Sequence, residues 1–253
     1  MQLGDLGKSP DFVALSFYKI FGFPDLGALL VQKNAGHALQ HRRYFGGGTV
    51  EMVVSVGHVW HAKKDGSVHE RLEDGTPPFH SIVALDHAIR AHERLYGSDP
   101  MELISRRTAR LSKKMYEGLV GLRHGTGSPV VRFYPGEDTA WGNPLLQGPT
   151  IALNVLRGDG TLVGYKEFET AASLRKIYVR SGSLCNPGGV ATYLEWSASE
   201  MMEAYRSGHR CRRPMQAIND KATGVVRVSL GAMSTFGDVA AFLTFVKEVY
   251  LEA

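Results

Sequence analysis

Two apolar segments near the start of the sequence constrain the fold most strongly. Residues 12–17 and 26–32 are rich in apolar, strand-favouring side chains, and the turn-forming sequence Gly22-Phe23-Pro24 stands between them. The pattern predicts a buried, hairpin-like pair of strands.

Helix-like and strand-like segments alternate along the rest of the chain. Helices are predicted over residues 79–96 and 101–124, and the second places its apolar side chains on one face. The further predicted elements are strands at 130–134, 150–155, 177–180 and 225–230, and helices at 190–206 and 237–250. This alternation predicts an α/β layered fold with some antiparallel pairing.

A polar turn at residues 97–100, Gly-Ser-Asp-Pro, follows the first long predicted helix. Gly and Pro together interrupt helices, so the turn is a natural boundary. We therefore divide the chain into a first domain over residues 1–97, which ends with a linking helix, and a second over residues 98–253.

Composition excludes several classes of protein. The chain has 253 residues, a net charge of +4 and only 2 cysteines, which form neither a disulfide framework nor a zinc site. The sequence has no apolar run of membrane-spanning length and no signal-peptide pattern, so we expect a cytoplasmic protein with no membrane partner. The basic pairs lack interleaved aromatic residues, which disfavours nucleic acid. The histidines have no metal-ligand spacing, so no metal is expected.

Lys19 stands within the first apolar region, beside Tyr18. An isolated lysine in such a run commonly buries its stem and extends its ammonium group to water. The alternative is a lysine in a dry pocket, where the neutral amine is favoured and can condense with an aldehyde such as pyridoxal phosphate. Lys19 by itself does not decide between them.

Cys185 lies in the segment YVRSGSLCNPGG, between a predicted strand and a predicted helix. Gly, Ser, Asn and Pro are typical of a mobile, partly exposed loop. The start of the next helix and nearby Arg180 would both favour a thiolate. The alternatives are a mobile nucleophile and an inert thiol packed in a turn.

Two further segments are candidates for binding. Arg227 lies in an apolar predicted strand, where it either pairs with a carboxylate of the protein or holds the carboxylate of a substrate. The run from Gly46 to Thr49 can cradle a phosphate through its backbone N–H groups, although glycine-rich turns are commoner than phosphate sites. The adjacent carboxylates Glu73 and Asp74 are interpreted as a solvated turn.

Six segments, taken in order, resemble one family over almost the whole chain. They are PDFVALSFYKIFGFPDLGALLV, RRYFGGGTV, HERLEDGTPPFHSI, VRSGSLCNPGG, GHRC and TGVVRVSLGAMSTFGDV. They resemble the cysteine-desulfurase part of molybdenum cofactor sulfurases, class V aminotransferase-like proteins of the fold-type-I pyridoxal phosphate superfamily. The resemblance implies that fold, with an incomplete large domain followed by the smaller C-terminal domain.

The resemblance also implies roles for individual residues. Lys19 matches the lysine that bonds to pyridoxal phosphate, Cys185 the loop cysteine that becomes a persulfide, and Arg227 the arginine that grips the substrate carboxylate. Gly48 and Thr49 match a region that approaches the cofactor phosphate from the partner subunit of a homodimer. The implied sulfur donor is L-cysteine and the implied acceptor is molybdenum cofactor. For Cys211, in GHRC, a structural thiol is the better interpretation.

The chain departs from the family in having only eighteen residues before Lys19. Complete members, as the resemblance implies, carry an aspartate for the pyridine nitrogen and a ring-stacking histidine in a longer preceding segment. We therefore expect this chain alone to have little or no desulfurase activity. The alternatives are a catalytically silent interaction domain or fragment, a desulfurase that serves iron–sulfur assembly, and an aminotransferase, although Cys185 argues against the last.

Overall fold

The computed structural model describes residues 10–134, 140–210 and 212–253. The chain divides into two compact units, Met1–Pro100 and Met101–Ala253, next to the boundary placed after residue 97. No helix of the described residues is both long enough and apolar enough to cross a bilayer.

The first unit opens with the predicted pair of strands. β1 (Phe12–Ser16) and β2 (Gly27–Val31) are antiparallel, with Phe12 opposite Val31, and the one-turn helix α1 (Phe17–Phe21) lies between them. The expected burial is wrong, because every residue of both strands is exposed or half-buried. The cause is that these strands form a sheet of only two, which pairs with no further strand among the described residues.

Apart from its last helix, the rest of the first unit consists of elements that the sequence pattern did not predict. A 3₁₀ helix (Lys33–Leu39) leads into the hairpin of β3 (Val50–Val54) and β4 (Trp60–Lys63). The short helix α2 (Val68–Leu72) follows, with Ser67 accepting a hydrogen bond from the Glu70 amide as its N-cap. Helix α3 (Phe79–Tyr96) has the predicted bounds.

The second unit is built on a four-stranded antiparallel sheet of order β5-β6-β10-β7. Its strands are β5 (Val131–Tyr134), β6 (Thr150–Val155), β7 (Arg180–Gly182) and β10 (Val225–Ser229). Helices α4 (Pro100–Val120), α5 (Tyr165–Leu174) and α8 (Phe236–Tyr250) contribute to one large core with the sheet. The most buried members of this core include Leu111, Met115, Leu119, Ile151, Leu153, Phe168, Val226 and Phe245.

A smaller cluster of buried residues forms the core of the segment that follows the cysteine loop. It includes Leu194, Trp196 and Ala222, and the Trp196 indole donates a hydrogen bond of 2.7 Å to the Ala222 carbonyl. The segment contains α6 (Pro187–Tyr193), α7 (Ala198–Arg206) and the two-residue strands β8 (Ala217–Ile218) and β9 (Lys221–Ala222).

Two predictions in this region are wrong. The single helix expected over 190–206 is two helices, because Glu195 has a positive φ of 57° and Ser197 begins a new helix with a capping box to Glu200. The strand expected at 177–180 begins instead at Arg180 and extends to Gly182, so the strand ends next to the cysteine loop.

Candidate functional site

Lys19 lies on the surface of the first unit. It is in α1, which ends where Gly22 adopts the left-handed conformation at φ 77°. The side chain is exposed, forms no ion pair within the described residues, and places Nζ 5.6 Å from the centroid of the Tyr18 ring. The expectation of a dry pocket is therefore wrong for this structure, since a single helical turn on a two-stranded ribbon buries none of its residues. The amine is nevertheless free of carboxylate partners.

The glycine-rich turn of the same unit is organised by Asp74. One carboxylate oxygen of Asp74 accepts a hydrogen bond of 2.9 Å from the Gly46 amide, and the other pairs with Arg42. The Gly75 amide donates to the Gly47 carbonyl across 2.7 Å. The interpretation of Asp74 as part of a solvated turn missed this contact, because the two segments are 28 residues apart in sequence.

Gly48 and Thr49 differ in what they can offer a phosphate. Gly48 has a φ of 88°, and its amide donates no hydrogen bond within the described residues. Thr49 is fully buried, and its hydroxyl donates to the Gly46 carbonyl across 2.6 Å. The turn therefore presents a backbone N–H at Gly48, while Thr49 fixes the shape of the turn.

Cys185 lies in the second unit, three residues after the end of β7. The thiol residue is exposed, and both Leu184 and Cys185 have a positive φ, of 57° and 55°. Non-glycine residues adopt this conformation at a cost in backbone energy, and such residues are frequent at functional sites. Helix α6 begins two residues later with Asn186 as its N-cap, whose side chain accepts from the Gly189 amide. The prediction of an exposed loop cysteine is confirmed.

A close approach of two glycines fixes the start of this loop. A Cβ atom on Gly224 would lie 2.5 Å from the carbonyl carbon of Gly182, a distance that no side chain tolerates. Gly182 itself has a φ of 100°. Glycine is therefore required at Gly224 for the end of β7 to pair with the start of β10.

A polar cavity of about 270 Å³ adjoins Cys185. The segment from Ser181 to Cys185 forms one side of it, and Lys166, Glu169 and Arg180 line it together with His209. Its buried wall contains Tyr165 and Thr223, whose hydroxyl groups are 3.1 Å apart, and Thr223 also donates to the Met215 carbonyl. The thiol therefore borders a cavity with charged and hydrogen-bonding walls.

Among the described residues, Glu169 is the only carboxylate that lines this cavity, and it already has hydrogen-bond partners. It accepts hydrogen bonds from Lys166 at 2.5 Å and from Ser181 at 2.8 Å. Burial opposes ionisation of Glu169, but these hydrogen bonds and the charges of Lys166 and Arg180 outweigh it, so the pKa of Glu169 lies below its ordinary value. The carboxylate joins α5 to the strand that leads into the cysteine loop.

His209 also lines this cavity. Its Nδ1 accepts a hydrogen bond of 3.2 Å from the Met215 amide. Because a neutral imidazole carries its hydrogen on the other nitrogen when Nδ1 accepts, this contact assigns an N–H group to Nε2. Sequence reasoning treated the GHRC segment only as part of a resemblance and missed His209. Cys211, in the same segment, lies outside the described residues.

Arg227 occupies the middle of β10, opposite Ala152 of β6 and Arg180 of β7. The residue is half-buried, and its Nε is buried with no hydrogen-bond partner. Within the described residues Arg227 forms no ion pair, which disfavours the alternative of a protein carboxylate as its partner. A buried guanidinium nitrogen without a partner is costly, so the position is suited to an anionic ligand.

Comparisons with known proteins show what the whole chain is similar to. Residues 8–127 match the family model of class V aminotransferases. Over 252 residues the chain is 49% identical to the molybdenum cofactor sulfurase of Neosartorya fischeri, and the match covers 100% of this chain and 29% of the relative. It is 51% identical over 253 residues to the molybdenum cofactor sulfurase of Botryotinia fuckeliana, covering 100% of this chain and 31% of the relative. The chain thus spans less than a third of the length of these relatives.

Solved structures of cysteine desulfurases share the fold. The chain matches the apo enzyme from Thermococcus onnurineus NA1 with a TM-score of 0.64 and 24% identity, covering 95% of this chain and 47% of that chain. It matches the enzyme CsdA from Escherichia coli with a TM-score of 0.60 and 20% identity, covering 94% and 45%. The predicted fold class, that of the fold-type-I pyridoxal phosphate-dependent transferases, is confirmed. The chain is a homologue of part of the molybdenum cofactor sulfurases, and its residues 8–127 match the class V aminotransferase family.

Proposed function

We propose that this chain supplies the lysine, the sulfur-carrying cysteine and the carboxylate-binding arginine of a pyridoxal phosphate-dependent L-cysteine desulfurase. The observation that carries the proposal is Cys185, an exposed thiol on a backbone of left-handed conformation next to a polar cavity. An aminotransferase has no need of such a thiol, whereas sulfur transfer from cysteine needs an accessible nucleophile.

Lys19 is the proposed attachment point for the cofactor. Its amine is exposed and has no carboxylate partner within the described residues, so no ion pair has to be broken before it reacts with an aldehyde. When bound, pyridoxal phosphate withdraws electrons from the substrate carbons. The Lys19 amine would serve as general base and acid, taking a proton from the substrate and later returning one to its carbon.

Cys185 is the proposed sulfur acceptor. Its thiolate attacks the sulfur of the bound cysteine, an S–S bond forms and the C–S bond breaks. The electron pair of the C–S bond stays with the substrate carbon, which takes up a proton and leaves as alanine. Cys185 is left as a persulfide. The loop geometry supports this role, since the thiol is exposed and the loop follows Gly182, whose φ of 100° is accessible to glycine.

Arg227 and the glycine-rich turn complete the proposed binding groups. The buried, unpartnered Nε of Arg227 is available to a substrate carboxylate, which a guanidinium holds through two parallel hydrogen bonds. The free amide of Gly48 is available to the cofactor phosphate, and Thr49 shapes the turn around it. In a homodimer Gly48 and Thr49 would act on the cofactor of the partner subunit.

Molybdenum cofactor is the proposed final acceptor of the sulfur. The support is the identity of 49 to 51% to molybdenum cofactor sulfurases along the full length of this chain. A desulfurase that serves another acceptor is the second candidate, and the likeness to the cysteine desulfurases of Thermococcus onnurineus and Escherichia coli supports only its fold.

Covalent trapping tests the proposal without depending on turnover. The purified chain is incubated with pyridoxal phosphate, reduced with borohydride and digested, and the modified lysine is identified by mass spectrometry. We expect label at Lys19 in preference to Lys33, an exposed lysine of the same unit. Lys33→Ala is the matched control and Lys19→Ala should abolish the selective label.

A second assay follows the sulfur. Because little turnover is expected of the chain alone, the assay follows a single round of transfer: after prolonged incubation of the cofactor-loaded chain with L-cysteine, the Cys185 peptide should gain one sulfur atom, and this gain should be lost in Lys19→Ala. Label spread equally over the surface lysines, together with an unmodified Cys185, would contradict the proposed function and leave a catalytically silent domain.

A further inference from the structure

The cavity beside Cys185 contains charged groups that the proposed reaction does not use. Lys166 and Arg180 each carry a positive charge, and in the part of the chain that the structure describes Glu169 is the only carboxylate that lines the cavity. Glu169 accepts hydrogen bonds from Lys166 and Ser181, and the positive charge of Lys166 balances its negative charge. The positive charge of Arg180 is therefore in excess.

The strand register adds to this excess. Arg180 of β7 stands opposite Arg227 of β10 in an antiparallel pair. Like charges at opposite positions of such a pair are destabilising, and Arg227 has no carboxylate partner within the described residues. The Arg180 side chain is exposed and forms no hydrogen bond within the described part of the chain. Among the described residues, Glu169 is the carboxylate that interacts with Arg180, and it also pairs with Lys166, so a net positive charge remains that favours an anion nearby.

The walls of the cavity also supply uncharged donors. The Nε2–H of His209, assigned through the contact of Nδ1 with the Met215 amide, belongs to a side chain that lines the cavity. The buried wall is held rigidly, because Thr223 is hydrogen-bonded to both Tyr165 and the Met215 carbonyl. A rigid wall with a fixed donor loses little entropy when a ligand binds.

We propose that this cavity is an anion-binding site, in which Arg180 and His209 hold the negatively charged group of a small molecule next to Cys185. The ligand class is a small carboxylate or phosphate, for which about 270 Å³ is sufficient. The inference rests on the proposed function in taking Cys185 as the reactive group. It goes beyond that function because the proposed reaction gives no role to Arg180 or His209, and Arg227 is not among the described residues that line the cavity.

Two alkylating reagents that differ in charge test the site. Iodoacetate carries a negative charge and iodoacetamide is neutral, and both react with the thiolate of Cys185. The ratio of their rate constants at the Cys185 peptide therefore cancels changes in thiolate fraction and in loop exposure. Arg180→Gln should lower this ratio about threefold, the effect of one unit charge at ~6 Å in a water-like dielectric.

Three control measurements test whether the change in the ratio is specific to the charge of Arg180. Arg175→Gln removes a charge from the other end of α5, where Arg175 pairs with Glu248 at 3.0 Å, and should leave the ratio unchanged. Arg180→Lys keeps the charge, so its ratio should stay close to that of the unmodified chain. Inorganic phosphate should lower the ratio in the unmodified chain, relative to chloride at equal ionic strength, but not in Arg180→Gln.

An equal ratio in Arg180→Gln and Arg175→Gln, or a phosphate effect that survives Arg180→Gln, would overturn the anion site. The measurement uses the chain without pyridoxal phosphate. It can therefore fail while the trapping at Lys19 succeeds, and it can succeed while the trapping fails, so the two proposals are tested separately.

Discussion

Ser181 donates a hydrogen bond to Glu169 across 2.8 Å, and this bond joins β7 to helix α5 one residue before Gly182. Lys166 reaches the same carboxylate oxygen at 2.5 Å. The strand that leads into the Cys185 loop is short, so this contact with a helix of the core is a main support for the position of the loop.

Ser181→Ala should loosen the loop without altering the core. A net hydrogen bond to a charged partner is worth about 1 kcal/mol or more, so the loop should open about fivefold more often. Hydrogen exchange of the Asn186 amide, which is bonded to the Ser183 carbonyl at 2.9 Å, reports this opening. Ser173→Ala, an exposed position on the same helix, is the control, and equal exchange rates in the two variants would exclude a role for the bond.

Gly224→Ala should distort the start of the same loop. The added Cβ would lie 2.5 Å from the Gly182 carbonyl carbon, so the backbone of β7 has to move. We expect a loss of about 1–3 kcal/mol in the free energy of unfolding, as for other overpacked sites. Urea denaturation measures it, and the rate of Cys185 alkylation by iodoacetamide should change in parallel. Gly231→Ala, where the added Cβ meets nothing within 4 Å, should have neither effect.

The elements that could be predicted from the sequence are those with a strong periodic pattern. Helix α3 and strand β6 have the bounds that the pattern predicts, Phe79–Tyr96 and Thr150–Val155. Besides the local capping box of Ser197 and Glu200, the failure at 190–206 has a tertiary cause, since the buried Trp196 indole is held by the Ala222 carbonyl, 26 residues later. A local pattern contains no information about that partner, so it continues the helix through the break.

The residues of the candidate site also divide into those that the sequence could predict and those that it could not. Lys19, Cys185 and Arg227 stand out in the sequence because their residue types are unusual for their surroundings. Asp74 and Glu169 do not stand out, because a carboxylate in a turn or on a helix is ordinary. Their roles come from partners 28 and 12 residues away, Gly46 and Ser181, which only the folded chain brings together.

The stability of the second unit should depend on pH through Glu200. A hydrogen bond from Lys221 at 2.7 Å, followed by those from the Ser197 amide and hydroxyl, lowers the pKa of Glu200 from 4.5 to about 2. Because the folded-state pKa is below the unfolded-state value, the contribution is fully present above about pH 4.5 and is lost as the pH falls towards 2. The free energy of unfolding is compared for the unmodified chain and Glu200→Gln by urea denaturation across this range.

The difference between these two proteins should shrink steadily below about pH 4.5. Glu203→Gln is the control, because Glu203 is exposed on the same helix and its Arg206 contact is 3.7 Å long. A difference that stays constant from pH 6 to pH 2 would show that the carboxylate of Glu200 is not the group that titrates.

Arg227 should reduce the stability of the chain in the absence of a ligand. Its Nε is buried without a hydrogen-bond partner, and it stands opposite the like charge of Arg180. A residue retained for an anionic ligand is expected to be replaceable by an apolar residue of similar length with a gain in stability. Arg227→Met should therefore raise the free energy of unfolding by about 1 kcal/mol, as measured in urea.

The same substitution should remove the response of the protein to the substrate carboxylate. Added L-cysteine should raise the thermal midpoint of the unmodified chain loaded with pyridoxal phosphate and leave that of Arg227→Met unchanged, because a ligand stabilises only the state that binds it. Arg132→Met, at an exposed position of β5, controls for the loss of a charge from the sheet and should alter neither property. If the free energy of unfolding of Arg227→Met is instead lower than that of Arg132→Met, the guanidinium has a structural partner in the protein and is not available to a ligand.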